Sequence, residues 1–275
     1  MPNSDNVQTP GRLILHTLRR NRKSGHDGVC VENQKKEPMS FYSEFAFCYE
    51  QLFPFREEVY LFLREYAAPP ASAVLDAGCG PGHYCRRFQQ EGFHPTGIDL
   101  DPEMIAAAAA TSPAVAFHAM DIAELASLKQ SFRLIYSIGN VVAHLSPERF
   151  SFFLGQVHAA LEPGGCWLFQ TVNWDYLLGF TEYRFPVKTV GDGSLSFFRH
   201  YLTISPQQAI FEVELTTDKR KIFNEQVTLY PLTANHFLQR HEAADFSLEG
   251  TYGGFDKKAF SREQNSALVM VFKKG

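Results

Sequence analysis

The residues with types and spacing suited to chemistry begin in Ala73-Val-Leu-Asp76-Ala-Gly78-Cys-Gly80-Pro-Gly82, where a short apolar run and an acid lead into alternating glycines. Such a run, stopped by turn-formers, reads as a buried strand. Glycines at its end let the backbone take positive φ and let a ligand approach the main chain closely. The segment His83–Glu91 that follows has a helical pattern, so the turn also presents a helix N-terminus. A second strand over His94–Ile98 runs into Asp99, an acid placed to accept both hydroxyls of a ribose. The chemistry this set suits is the recognition of a nucleoside ligand.

Two ligand classes use this layout: dinucleotides and S-adenosylmethionine. A dinucleotide fingerprint is G-x-G-x-x-G. Counted from Gly78, its sixth position is His83, and the third glycine comes one residue early. The D-x-G-x-G-x-G pattern instead resembles the class I S-adenosylmethionine-dependent methyltransferases, and the resemblance extends over residues 40–275. It implies that Gly78, Gly80 and Gly82 line the methionine part of the cofactor. Asp76 would accept from the cofactor's amino group or fix the glycine turn. Asp99 would hold the ribose, with Leu100 and Met104 against the adenine, although Met104 suits helix core equally. Asp121, in Phe117-His-Ala-Met-Asp-Ile, matches the acid that contacts the adenine amino group, with Met120 and Ile122 beside it. Its other role is to cap the next short helix. Ser137 and Tyr42 complete the expected cofactor set.

Ser137-Ile-Gly-Asn140-Val-Val-Ala-His144-Leu resembles the G-N-S-x-x-H-L stretch of the glycine N-methyltransferase-like branch. The resemblance implies an acceptor-side Asn140 and a His144 near the reacting centre; packing beneath the loop is the alternative for His144. Tyr49 joins these two as a catalytic candidate, because Phe41–Phe55 resembles the aromatic N-terminal helix of small-molecule methyltransferases. Val172-Asn-Trp-Asp175 resembles R-N-Y-D, with Val172 where an arginine would clamp an amino-acid carboxylate. That departure argues against glycine as the substrate. No [DN]-P-P-[YFW] or Pro-Cys follows the fourth strand, as enzymes acting on nucleic-acid bases would have, and no acid ends it, so no metal is expected.

These residues need a scaffold, and strands alternate with helices from residue 73 onward. Strands are expected at Ala73–Asp76, Pro95–Asp99, Ala114–His118, Phe132–Ile138 and Cys166–Val172. Helices are expected at Glu57–Tyr66, His83–Glu91, Pro102 through the alanines 106–110, and Pro147–Leu161, with a turn at Pro163-Gly164-Gly165. Such alternation implies parallel strands with right-handed crossovers. Arg184–Tyr230 then changes rhythm, with period-two runs such as Ile210-Phe-Glu-Val-Glu-Leu-Thr that mark half-buried antiparallel strands. A helix at Thr233–Ala243 and strands at Phe246–Tyr252 and Ser266–Phe272 follow. The expected fold is α/β, a Rossmann-like doubly wound seven-stranded sheet with an antiparallel β insertion after strand five. Its expected domain spans 39–275, with 182–231 as a substrate cap.

Residues 1–38 carry seven Lys or Arg against four Asp or Glu, with few aromatics, and are expected to be a disordered leader; Met39 could be the natural start. The net charge of −4 argues against a nucleic-acid partner. No apolar run approaches the roughly 18 residues of a membrane helix. The five cysteines have no regular spacing, which suits reduced thiols in a cytoplasmic protein. The expected activity is methyl transfer from S-adenosyl-L-methionine to nitrogen or oxygen of a small-molecule acceptor, by a monomer or homodimer. Its rivals are a catalytically silent domain that binds S-adenosylmethionine or S-adenosylhomocysteine, and a nicotinamide-dependent oxidoreductase.

Overall fold

The computed structural model describes residues 49–191 and 193–275; the expected leader 1–38, the aromatic residues before Tyr49 and Tyr42 among them lie outside these. An amphipathic helix, α1 (Glu57–Ala67), buries Val59, Tyr60, Phe62, Leu63 and Ala67. The chain then alternates through β1 (Ala73–Ala77), α2 (His83–Gln90), β2 (His94–Asp99), α3 (Pro102–Thr111), β3 (Ala116–Ala119), β4 (Phe132–Ser137), α4 (Pro147–Ala160) and β5 (Leu161–Val172). Local chemistry sets the helix starts. The Asp101 carboxylate accepts from the Glu103 and Met104 N–H groups at the head of α3, and Ser146 Oγ accepts from Arg149 N–H at the head of α4. A proline stands at the first turn of each, where a missing N–H costs nothing.

After the short α5 (Trp174–Leu177), the chain forms β6 (Tyr183–Arg184), β7 (Lys188–Val190), β8 (Leu195–Ile204), β9 (Ala209–Thr217) and β10 (Lys221–Leu229). It closes with α6 (Ala234–Ala243), β11 (Phe246–Tyr252) and β12 (Ala267–Lys274). The main sheet has the order β11-β12-β5-β4-β1-β2-β3. Only β12 runs against its neighbours, since it pairs antiparallel with both β5 and β11. Alternate residues of β4 feed opposite layers: Ile135 packs with Leu75, Phe153, Trp167 and Phe169, whereas Leu134 and Tyr136 pack with Tyr60, Leu63, Val74 and Phe88. A sheet buried on both faces is the doubly wound arrangement expected of the sequence.

The second sheet has the order β10-β9-β8-β6, with β7 also on β8. Its pairing is antiparallel throughout, and one face carries Phe197, Tyr201, Phe211, Leu215 and Phe223 in two apolar clusters. One boundary differs from expectation. Pro163-Gly164-Gly165 does not separate helix from strand but lies inside β5, whose register against β4 jumps from Phe132↔Leu161 to Leu134↔Cys166. Gly164 absorbs the jump at φ +68°, so the turn-forming residues make a bulge.

Candidate functional site

Strand order reverses between β1 and β4, and ligands of open α/β sheets bind beyond the carboxyl ends of strands at such a point. Two adjoining cavities lie here, both lined by Gly78. The larger, about 420 Å³, is lined by Asp99, Leu100, Asp121, Ile122, Val141, His144, Leu145 and Arg149. The smaller, about 220 Å³, is lined among others by Tyr49, Asp76, Tyr84, Ile138, Gly139, Gln170 and Lys188.

The turn after β1 holds the two together. The Gly78 and Cys79 N–H groups both donate to the Ile98 carbonyl (2.8 and 3.0 Å), tying the turn to β2. Gly78 has φ +94°, and a Cβ there would stand 2.6 Å from a methyl of Val141. Gly82, in the left-handed region at the head of α2, is required for a different reason: a Cβ would meet the Phe117 ring at 2.6 Å. Gly82 therefore serves packing and lines neither cavity. A Cβ on Gly80 would lie 3.7 Å from the Tyr49 ring, so that ring lies over the turn.

Asp99 ends β2 with its carboxylate held by backbone. Oδ2 accepts from Gly80 N–H (2.8 Å) and Oδ1 from Asp101 N–H (3.0 Å). That arrangement aims the acid into the larger cavity while linking the ends of β1 and β2. Asp121 lines the same cavity, and its Oδ1 caps Ala123 N–H (2.9 Å). Its Oδ2 accepts from Arg149 (2.6 Å), 28 positions away in the chain. Leu100 is 73 % exposed at the rim, an apolar side chain left to water. Met104 is buried and Met120 packs on the main core; neither lines either of these two cavities. Ser137 is fully buried and donates to the Ala77 carbonyl (2.7 Å), clamping β4 to β1 from beneath the site.

Asp76 forms the floor of the smaller cavity at 2 % exposure. Tyr136 OH donates to its Oδ2 (2.8 Å), the Cys85 thiol lies 3.8 Å from the same oxygen, and Oδ1 has no partner. Burial pushes its pKa up to about 7, against the Tyr136 hydrogen bond and with a further upward contribution from Asp99. Burial, followed by the charges of Asp99 and Asp76, likewise holds the Tyr49 hydroxyl well above its ordinary pKa, so that it stays protonated. His83, also on this cavity, is desolvated to a pKa of about 4.

Asn140 and His144 separate. Asn140 has φ +71°, and its Oδ1 accepts from Thr171 OH (2.6 Å) and Val172 N–H (3.1 Å), while its side chain also bonds the Tyr201 hydroxyl of the cap. It joins β4, β5 and the cap, and lines neither cavity. His144 lines the larger cavity with Asp99 and Asp121, away from the Asp76 floor. Desolvation lowers its pKa against the opposing charge of Asp99, leaving a neutral imidazole at pH 7. Asn173 is spent on structure: its amide donates to the Arg262 and Asn265 carbonyls (2.8 and 2.9 Å). Gln170, Tyr84 and Lys188 belong to the site without having been expected there. Only Gln170 left a trace in sequence, as a polar residue near the end of an apolar strand.

Residues 74–165 match the family model described as a methyltransferase domain. A malonyl-[acyl-carrier protein] O-methyltransferase of Erwinia billingiae is 36% identical over 104 residues, 38% of this chain and 40% of the relative. A glycine/sarcosine/dimethylglycine N-methyltransferase of Actinopolyspora halophila is 24% identical over 238 residues, 80% of this chain and 39% of the relative. The chain spans about half the length of the curated relatives it matches. A solved S-adenosylmethionine-dependent methyltransferase of Clostridium acetobutylicum shares the fold, with a TM-score of 0.71, at 14% identity and with 86% of this chain and 100% of that one covered.

Proposed function

We propose that this chain, which carries a methyltransferase domain on the class I fold, transfers a methyl group from S-adenosylmethionine to nitrogen or oxygen of a small molecule. The observation that carries the reading is the pair of cavities meeting at Gly78, with a backbone-held Asp99 in one and an orphaned Asp76 oxygen in the other. A nucleoside with a cationic amino-acid tail matches that pairing. The unpaired Asp76 Oδ1 suits an ammonium, because a buried acceptor without a donor is costly. Asp99 suits vicinal hydroxyls, since both its oxygens are already oriented.

When bound, S-adenosylmethionine supplies a methyl group on a sulfonium, already activated for in-line displacement. The protein's share is positioning and exclusion of water. On this reading Asp99, Asp121, Leu100, Ile122 and His144 hold the nucleoside end, and Asp76 with the Gly78–Gly80 backbone holds the amino-acid end. Tyr49, protonated over the turn, keeps an O–H with which to orient an acceptor oxygen or nitrogen. Asn140 acts as a positioning residue: it fixes the loop after β4 against β5 and the cap. Desolvation keeps the His144 imidazole neutral at that nucleoside end.

Calorimetric titration with S-adenosylhomocysteine, with NAD as the comparison, tests the reading. Micromolar affinity for the first and none for the second is expected. Failure to bind S-adenosylhomocysteine would overturn it. Binding without transfer of labelled methyl to any amine, phenol or carboxylate acceptor would leave a domain that only binds the cofactor.

A further inference from the structure

We propose that the cap supplies a seat for an anion, in which Lys188, backed by Arg199, takes the carboxylate of the methyl acceptor. The proposal rests on the methyl-transfer reading above and names the class of its acceptor. Lys188 opens β7 and pairs across the ladder with Phe197 of β8, so the two side chains share one face. Arg199, two residues on, shares it too. That face meets the site: Lys188 lines the smaller cavity together with Asp76, Gly78 and Tyr49.

These cations lack counter-charges. Lys188 Nζ donates to the Leu52 carbonyl (3.1 Å) and lies 4.5 Å from the centre of the Phe53 ring. The Arg199 guanidinium lies 4.8 Å from the Phe185 ring centre and donates to the Pro186 carbonyl (3.3 Å); its buried Nε has no acceptor. No carboxylate pairs with either among the described residues. The nearest acid by register on this face, Glu225, stands beyond β9, across Val213. Burial lowers the pKa of Lys188, and the charges of Arg199 and Arg56 lower it further.

The other face of the same sheet shows the contrast. There Glu212 bonds Gln226, and Glu214 bonds Asn224 and pairs with Lys221. Glu214 on that face has a cation beside it, whereas Lys188 on the cavity and Arg199 behind it have no carboxylate. Half-buried cations gathered without partners are unfavourable unless a ligand completes them. Val172, at the end of β5, offers no charge for this purpose, so the cap carries it instead. The cofactor has a carboxylate of its own, and the experiment must separate the two sources.

Protein saturated with S-adenosylhomocysteine is titrated with 4-hydroxyphenylacetate and with its neutral counterpart 4-hydroxyphenylacetamide. The acid should bind about tenfold or more tighter than the amide, the scale of one charge-assisted contact in a partly desolvated site. Lys188→Met should remove the preference, Arg199→Met should reduce it, and Lys188→Arg should keep it. Affinity for S-adenosylhomocysteine and melting temperature should stay near wild type in all three. Equal binding of acid and amide, or binding of neither, in protein that holds S-adenosylhomocysteine overturns the seat. So does a loss of S-adenosylhomocysteine affinity in Lys188→Met, which would assign the lysine to the cofactor's carboxylate. Wild-type protein that fails to bind S-adenosylhomocysteine would overturn the methyl-transfer reading itself, and the seat with it.

Discussion

Asp76 should make ligand affinity depend on pH in a specific direction. Its carboxyl is held at about pKa 7 by burial, with one oxygen bonded to Tyr136 and the other bare. Only the ionised form attracts an ammonium, so affinity for S-adenosylhomocysteine should rise as pH rises through 7. If the charged form alone binds, the apparent Kd at pH 6 should be about tenfold weaker than at pH 8, flattening above that. His83 is already neutral over this range and contributes no slope. The sign for stability is opposite. Asp76 holds its proton in the folded state at pH values where the unfolded chain has released it. Asp76 by itself therefore lowers ligand-free stability as pH rises from about 4 to about 7, by up to about 4 kcal/mol, while the buried neutral His83 and His241, which the unfolded chain would protonate, raise it over the same window. Calorimetric titrations at pH 6, 7 and 8 read the first effect, and urea melts read the second. Asp76→Asn should abolish the binding slope and remove the Asp76 share of the stability change, so that the variant gains stability relative to wild type as pH rises from about 4 to about 7. Tyr136→Phe removes the hydrogen bond that lowers the Asp76 pKa, so the binding midpoint should move to higher pH. An unchanged slope in Asp76→Asn would refute the reasoning, because the titrating group would then be another.

Asp99→Ala should weaken S-adenosylhomocysteine binding by at least about tenfold, since hydroxyls facing the cavity and the Gly80 N–H both lose a charged acceptor; equal affinity in calorimetry would remove Asp99 from the ligand site. His144→Ala should weaken cofactor binding several-fold because the ring lines the Asp99 cavity; lost turnover with intact affinity would move the histidine to the acceptor side. Asn140→Ala strands the Thr171 hydroxyl and Val172 N–H, and should cost about 1–3 kcal/mol in a urea melt. A neutral result there would show that the loop after β4 is held by other contacts.

The fold was legible because its signals are local. Apolar runs ending at Asp76, Asp99 and Ser137, with helical stretches between them, specify parallel strands and crossovers, and β1, β2, β4 and β5 all appear. Pro163–Gly165 misled because a turn and a bulge need the same residues; only the partner strand decides between them, and β4 is close enough to continue the ladder. In the site, the acids at strand ends were readable by position. What each acid does was not, because it depends on donors far away in sequence. Arg149 reaches Asp121 across 28 positions, and Tyr136 reaches Asp76 across 60. Lys188 was invisible for the same reason. It looks like any strand lysine until β8 turns its face toward the cavity.

The three strand-end acids show how one architecture yields different chemistry from one residue type. Asp99 and Asp121 are followed directly by turns that open helices, and the N–H groups of those turns fall within reach of the carboxylates: Asp101 for Asp99, Ala123 for Asp121. Such donors complement a negative charge and fix its direction. Asp76 is followed by a residue that stays in the strand, so its side chain points down between β1 and β4 instead. There it meets a phenol and a thiol rather than backbone donors. A carboxyl placed that way lacks compensation until a cation arrives, which the bare Oδ1 makes possible. Two acids thus give shape to the larger cavity, while the third makes occupancy of the smaller cavity depend on charge. The cap brings Lys188 to the same cavity, a cation where the floor has an acid. An ammonium against Asp76 and an anion against Lys188 would satisfy both charges of this cavity.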